Sequence, residues 1–145
     1  MRNVKASITI DRSPALVMSL FTEVEHLRKW WNVERALIDL RRGGLYTLVW
    51  GISTTGMNYV STGMIGEYLS DCQLRIDNWV YLNPGRQILG PMELLILATP
   101  ENGKTTLTVV QAGYQSGDDW DWYYNAVHEA WPALIMKIKD YAEKL

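Results

Sequence analysis

The strongest constraint on this chain lies in its C-terminal segment, where large apolar residues recur every three or four positions. The series is Tyr124, Val127, Trp131, Leu134, Ile138, Tyr141 and Leu145. This spacing places all of them on one face of a single long helix, and that face needs an apolar surface to cover it. Pro132 lies inside the series and predicts a kink, because proline removes a backbone donor and its ring crowds the preceding turn.

The rest of the chain alternates between strand patterns and turn residues. Apolar and polar residues alternate over residues 4–10, which predicts a half-buried first strand. Ser13-Pro14 predicts the start of a short helix, and a second short helix is predicted over residues 24–31. Six more strands are predicted at residues 35–40, 44–51, 57–69, 73–81, 92–99 and 105–112. With no helical pattern between them, these strands are expected to form an antiparallel meander within one α+β domain over residues 1–145.

The composition excludes several classes of protein. Of the 145 residues, 48% are hydrophobic and 21% are charged, and the net charge is −2. A slightly acidic chain is poorly suited to bind nucleic acid, and no apolar run reaches the roughly 18 residues of a membrane helix. Residues 1–11 alternate in polarity, so no secretion signal is predicted. Cys72 is the single cysteine, no internal disulfide is possible, and we expect a soluble, cytoplasmic protein.

Metal and cofactor sites are not predicted. His26, Cys72 and His128 are scattered along the chain, without the spacing of a CxxC or HExxH motif. We therefore expect neither a metal nor a cofactor.

A series of short motifs follows the same order as in a known superfamily. They are Ile8-Thr9-Ile10 with Ser13-Pro14, Lys29-Trp30-Trp31, the run from Leu40 to Tyr46, the run from Gly63 to Glu67, the run from Gly103 to Val109, and Trp120, Tyr123-Tyr124 and Ala130-Trp131-Pro132. The chain resembles the START/SRPBCC superfamily, and more narrowly the branch named after the activator of the heat-shock-protein-90 ATPase. Two departures are Ala130, where the family usually has glycine, and residues 79–90, which do not match.

The resemblance implies a helix-grip fold, in which a curved antiparallel sheet wraps around the long C-terminal helix and two short helices follow the first strand. It also implies a pocket between sheet and helix that binds apolar or amphipathic small molecules. Some relatives are cyclases or hydratases, and one eukaryotic relative stimulates a chaperone ATPase. Our leading hypothesis is a small-molecule-binding protein without catalysis. The alternatives are a cyclase- or hydratase-type enzyme and a chaperone-regulating interaction module.

Alternation along the strands and spacing along the helix assign side chains to the implied pocket. Tyr46, Leu48 and Trp50 share one face of their strand, and adjacent residues on a helix point about 100° apart, so one of Trp30-Trp31 is expected at the pocket mouth. The assigned residues are Trp30, Tyr46, Leu48, Trp50, Met57, Tyr59, Ile65, Glu67, Gln111, Tyr124, Val127, His128 and Trp131. Sparse polar groups on apolar walls are typical of ligand sites.

Glu67 and His128 are the candidate catalytic residues of the enzyme hypothesis. Alternation puts Glu67 on the face of Gly63 and Ile65, where desolvation would raise its carboxyl pKa and suit it to acid–base work. His128 lies near Pro132 and could titrate beside the pocket. The alternative for Glu67 is a solvated or ion-paired residue at a strand end, and for His128 a packed or solvent-facing side chain.

Four aromatic residues crowd the start of the last helix, namely Trp120, Trp122, Tyr123 and Tyr124. Within so few positions they must point in several directions, so part of this surface is expected to be exposed. Such a patch suits a homodimer or chaperone interface. A gate over the pocket explains it equally well.

Overall fold

A computed structural model describes residues 2–145 of the chain. Seven strands and three helices follow one another in that range. Their bounds are β1 Asn3–Ile10, α1 Pro14–Ser19, α2 Val24–Trp31, β2 Arg35–Ile38, β3 Leu45–Ser53, β4 Gly56–Leu69, β5 Gln73–Leu82, β6 Leu89–Glu101, β7 Lys104–Ala112 and α3 Asp118–Glu143. Each predicted strand and helix is therefore confirmed, with ends that differ by a few residues.

The strands form one antiparallel sheet in the order β1-β7-β6-β5-β4-β3-β2. Strands β2 to β7 are neighbours in sequence and in space, as expected of a meander. Strand β1 pairs with β7 along its whole length, from Asn3 opposite Ala112 to Ile10 opposite Thr105. Helices α1 and α2 therefore carry the chain from one edge of the sheet to the other.

Helix α3 lies against the concave face of the sheet and buries Trp120, Tyr123, Trp131, Ile135, Ile138 and Ala142. The inward-facing side chains of the strands cover this face of the helix, so the hydrophobic core is continuous from sheet to helix. The helix-grip architecture implied by the resemblance is confirmed. Pro132 lies inside α3, and the kink expected there stays a prediction. Among residues 2–145, no helix combines the length and the hydropathy needed to cross a membrane.

The two short helices follow their sequence signals. The Ser13 side chain accepts a hydrogen bond of 3.2 Å from the backbone N–H of Leu16, ahead of Pro14 at the start of α1. Helix α2 ends at Asn32, which adopts the left-handed conformation with φ 57°. It packs along α3, with the ring centroids of Trp31 and Trp131 5.4 Å apart.

Two irregularities in the pairing of β4 with β5 decide which side chains face the helix. The first lies between Thr62 and Met64, and the second between Ile65 and Glu67. At the first, a Cβ on Gly63 would lie 2.8 Å from the carbonyl oxygen of Asp77, so the close approach of the strands requires glycine.

The second irregularity reverses the predicted orientation of Glu67. Ile65 pairs with Ile76 and Glu67 with Arg75, so Gly66 is an extra residue on β4. Beyond it, Tyr68 packs against the core and pairs with the buried Leu74. The prediction that Glu67 shares a face with Ile65 is therefore wrong, because the bulge shifts the alternation by one position.

Candidate functional site

A cavity of about 160 Å³ lies between the sheet and α3. Its walls come from α2, from strands β3 to β7 and from three successive turns of α3. The lining residues are Trp31, Trp50, Ser61, Trp79, Tyr81, Leu94, Gln111, Tyr123, Val127, Ala130, Trp131 and Leu134. The lining is mostly apolar and aromatic, as in sites that bind small organic molecules.

Trp31 is the centre of the aromatic wall. Its ring stacks on Trp30 at 4.8 Å and 11°, and it meets Trp50 edge-on at 5.3 Å and 68°. The indole N–H of Trp50 donates a hydrogen bond of 3.0 Å to the carbonyl oxygen of Trp31. Trp31 also packs against Trp131, so these contacts define the relative orientations of the rings.

The polar end of the cavity is built around Gln111 and Tyr123, both buried. The side-chain amide of Gln111 donates a hydrogen bond of 2.9 Å to the phenol oxygen of Tyr123. The ring of Tyr123 also stacks on Tyr81 at 4.6 Å. Burial raises the pKa of the Tyr123 phenol, and burial likewise raises the pKa of Tyr81. Both hydroxyls are therefore neutral at physiological pH, and each carries a proton that it can donate.

Two further polar groups are available to a ligand. In the part of the chain that the structure describes, neither the side-chain carbonyl oxygen of Gln111 nor the hydroxyl of Ser61 makes a hydrogen bond. Both residues are buried and line the cavity. The cavity thus offers an acceptor at Gln111, a donor at Tyr123 and a hydroxyl at Ser61.

Four of the residues assigned to the pocket from the sequence line this cavity: Trp50, Gln111, Val127 and Trp131. They come from β3, β7 and α3, and the fold brings them together around this space.

Four other assigned residues lie in the core beside the cavity and do not border it. Trp30, Tyr46, Leu48 and Ile65 are all buried. Tyr46 is the clearest example, because its hydroxyl donates a hydrogen bond of 2.6 Å to the carbonyl oxygen of Phe21. That bond satisfies the polar end of the ring inside the core, so Tyr46 connects β3 to the turn between α1 and α2.

The remaining assigned residues lie outside the cavity. Met57 and Tyr59 are exposed at the outer end of β4, by 55% and 43%. Tyr124 is half-buried, with the guanidinium carbon of Arg2 4.5 Å from its ring centroid, and His128 is exposed.

The positions of the two candidate catalytic residues give no support to acid–base chemistry in the cavity. Glu67 pairs with Arg75 on the face of the sheet that points away from α3. Asp77 raises the pKa of Arg75 most, and the charges of Glu93 and Glu67 make smaller contributions in the same direction. His128 is exposed on α3, and its ring centroid lies 5.8 Å from that of Tyr124. Neither residue borders the cavity.

Several lining residues were not assigned from the sequence, among them Trp31, Trp79, Tyr81, Tyr123 and Leu134. Leu134 belongs to the apolar series of the last helix, so its position could have been predicted. Trp79 and Tyr81 lie on the strand with irregular pairing, where alternation does not define the face. Helical spacing alone does not decide which of the adjacent Trp30 and Trp31 faces the cavity.

A polar clamp joins the loop between β5 and β6 to the first turn of α3, near Tyr81 and Tyr123. The Asp119 carboxylate accepts hydrogen bonds from the backbone N–H of Gln87 at 3.0 Å and from Arg86 at 3.1 Å. The Arg86 guanidinium also lies over the ring of Trp122, 3.8 Å from its centroid. Of the four aromatic residues at this end of α3, Trp122 alone is exposed, by 37%.

No group of three or more His, Cys, Asp or Glu side chains within residues 2–145 is placed to hold a metal ion.

A family model described as Activator of Hsp90 ATPase homolog 1-like protein matches residues 11–143 of the chain. No curated protein matches the chain in sequence.

The structure is similar to several solved structures. The Aha1 dimer from Colwellia psychrerythraea is 16% identical, with 99% of this chain and 97% of that chain covered and a TM-score of 0.72. CalU16 from Micromonospora echinospora is 18% identical, with 97% and 73% covered and a TM-score of 0.70. DynU16, a putative protein in the dynemicin biosynthetic locus, is 14% identical, with 97% and 47% covered and a TM-score of 0.75. At these identities the likeness shows the fold alone.

Proposed function

This chain belongs to the family of Activator of Hsp90 ATPase homolog 1-like proteins, and from that premise we propose that it binds a small aromatic molecule that carries one polar group. The observation that carries the proposal is the cavity beside α3. Its walls are four indole rings and several aliphatic side chains, and its few polar groups include the hydrogen-bonded pair of Gln111 and Tyr123. An apolar space with a few convergent polar groups is the usual form of a small-molecule site.

The volume of the cavity limits the size of the ligand. An engineered apolar cavity of about 150 Å³ takes up benzene, whereas pockets for drug-sized molecules measure about 300–1,000 Å³. At about 160 Å³, this cavity matches one aromatic ring with a small substituent. A longer chain or a fused ring system would need movement of the tryptophan wall.

The polar groups favour a phenol or a similar molecule. A phenolic hydroxyl can donate to the Gln111 carbonyl oxygen and accept from Tyr123, while the ring packs among the indole side chains that line the cavity. A ligand without a polar group would leave the buried Gln111 oxygen without a partner, and that costs binding energy. DynU16 is described as a protein in a biosynthetic locus, a setting in which small organic molecules are handled.

The test compares p-cresol with toluene by calorimetry and by NMR of the side-chain amide and indole signals. We expect p-cresol to bind with a dissociation constant of about 0.1–1 mM, the range available to so small a ligand. Toluene should bind about thirtyfold more weakly, because it lacks two hydrogen bonds worth about 1 kcal/mol each. The largest signal changes should be at Gln111 and Trp131.

Two variants decide where the ligand binds. Val127→Phe fills the cavity from α3 and should weaken both ligands by about tenfold or more. Met136→Phe places the same side chain on the same helix at a position that is 59% exposed, and it should leave binding unchanged. Binding that survives Val127→Phe, or no binding of p-cresol at about 10 mM, would end the proposal.

A further inference from the structure

A second concave site lies on the other side of the tryptophan wall, between α2 and the last turns of α3. It is a groove of about 430 Å³. Trp30 borders the groove and Trp31 borders the cavity, and the two rings stack at 4.8 Å. One layer of stacked indoles therefore separates the groove from the proposed ligand cavity.

The charge of the groove is opposite to that of the whole protein. The chain carries a net charge of −2, yet three lysines, Lys29, Lys137 and Lys144, line the groove with one acidic side chain, Asp140. The Asp140 carboxylate lies 3.1 Å from the ammonium group of Lys144. Lys29 and Lys137 make no salt bridge within residues 2–145, so two ammonium groups remain available. A concave surface of one sign concentrates ions of the opposite sign.

The phenol ring of Tyr141 lines the groove, and its hydroxyl contacts His26 on α2. The hydroxyl of Tyr141 lies 2.6 Å from Nδ1 of His26, and Nε2 of His26 lies 3.1 Å from the carboxylate of Glu23. Burial, followed by the charges of Glu23 and Glu25, raises the pKa of Tyr141. The phenol is therefore neutral and does not repel an anion, and its ring position is set by the contact with α2.

We propose that this groove binds an oxyanion, a phosphate or carboxylate group, through the ammonium groups of Lys29 and Lys137. Lysine ammonium groups bind such anions as point charges with three donors. The anion can be free or can belong to a larger molecule, in which case the indole of Trp30 and the ring of Tyr141 offer apolar contact to the rest of it. The site does not depend on the cavity, so it goes beyond the function proposed above.

The experiment is an NMR and calorimetric titration with three probes, namely inorganic phosphate, phenyl phosphate and neutral benzyl alcohol. We expect saturable binding of both phosphates, with the largest signal changes at Lys29, Lys137 and the Trp30 indole. Tighter binding of phenyl phosphate would identify an organic anion as the natural class, and equal affinity would identify the free anion. Binding should weaken when ionic strength rises from about 0.02 M to about 0.15 M.

A matched pair of double variants separates the site from general charge effects. Lys29→Gln with Lys137→Gln should weaken phosphate binding about tenfold or more. Lys5→Gln with Lys104→Gln changes the net charge equally at exposed positions on the sheet, and it should leave the affinity unchanged. All four lysines are exposed, so both variants should fold.

An equal loss in the two variants would overturn the proposal. So would signal changes spread over many lysines, since phosphate would then associate with the positive surface without a defined site.

Discussion

The side-chain amide of Gln111 on β7 donates a hydrogen bond of 2.9 Å to the phenol oxygen of Tyr123 on α3. Both residues are buried, by 97% and 94% of their surface, so the bond joins sheet and helix away from water. The same amide nitrogen lies 3.6 Å from the sulfur of Met92. This pair stabilises the packing of the sheet against α3 and forms the polar end of the cavity.

The first prediction concerns this pair. Gln111→Leu leaves the Tyr123 oxygen buried without its donor, and the free energy of unfolding should fall by about 1–3 kcal/mol. In the double variant with Tyr123→Phe the unsatisfied oxygen is gone, so the two losses should not add. Urea unfolding of the wild type, the two single variants and the double variant should show a coupling of about 1 kcal/mol. Fully additive losses would mean that the hydrogen bond contributes little.

The second prediction compares two buried tyrosines. The Tyr46 hydroxyl donates to Phe21, whereas the Tyr114 hydroxyl is fully enclosed by protein and lacks a hydrogen-bond partner within residues 2–145. Tyr46→Phe should lower the free energy of unfolding by about 1–2 kcal/mol. Tyr114→Phe should be neutral or stabilising, because it removes a polar atom that gains nothing from burial. Urea midpoints measure both, and a larger loss for Tyr114→Phe would contradict the assignment.

The third prediction is a pH dependence that originates at Asp119. Hydrogen bonds from the backbone N–H of Gln87 and from Arg86 lower the pKa of the Asp119 carboxyl below its ordinary value of 3.8. Because the pKa is lower in the folded state, the unfolded chain takes up this proton at a higher pH than the folded protein does. The stabilisation is therefore complete above the ordinary value and is lost as the pH falls through the folded-state pKa.

Asp119→Asn should remove that part of the pH dependence. The stability of the wild type should decline more steeply below about pH 4 than that of the variant, as measured by urea unfolding at a series of pH values. Hydrogen exchange of the Gln87 amide should also become faster in the variant. Asp118→Asn, one residue earlier in the same turn of α3, is the matched control and should keep the wild-type profile. Identical profiles for the wild type and Asp119→Asn would contradict the prediction.

Most of the fold could be predicted because its signals are local. Alternation with period two and clusters of turn residues defined β1 and the six strands of the meander, and Ser13-Pro14 marked the start of α1. The apolar spacing that ends the chain predicted α3, whose central part packs into the sheet through Trp131 and Ile138. The family resemblance drawn from the order of these elements is confirmed by the match over residues 11–143.

The candidate site was less accessible from the sequence, because it depends on contacts between distant residues. Trp50, Gln111, Val127 and Trp131 could be assigned from the sequence, since alternation along the strands and spacing along the helix put each on the face that is turned inward. In contrast, Tyr46 was assigned to the pocket, but its hydroxyl finds the carbonyl oxygen of Phe21 inside the core. Nothing in the local pattern of β3 encodes that partner.

The sequence by itself therefore determined the elements, their order and the apolar faces that meet in the core, because each of these follows from the spacing of neighbouring residues. Only the tertiary structure decided which side of the sheet Glu67 occupies, since the extra residue Gly66 becomes visible only when β4 is paired with β5. It also decided that Trp31 borders the cavity and Trp30 the basic groove. The two rings stack, and the contacts of Trp31 with β3 and α3 set which surface each one covers.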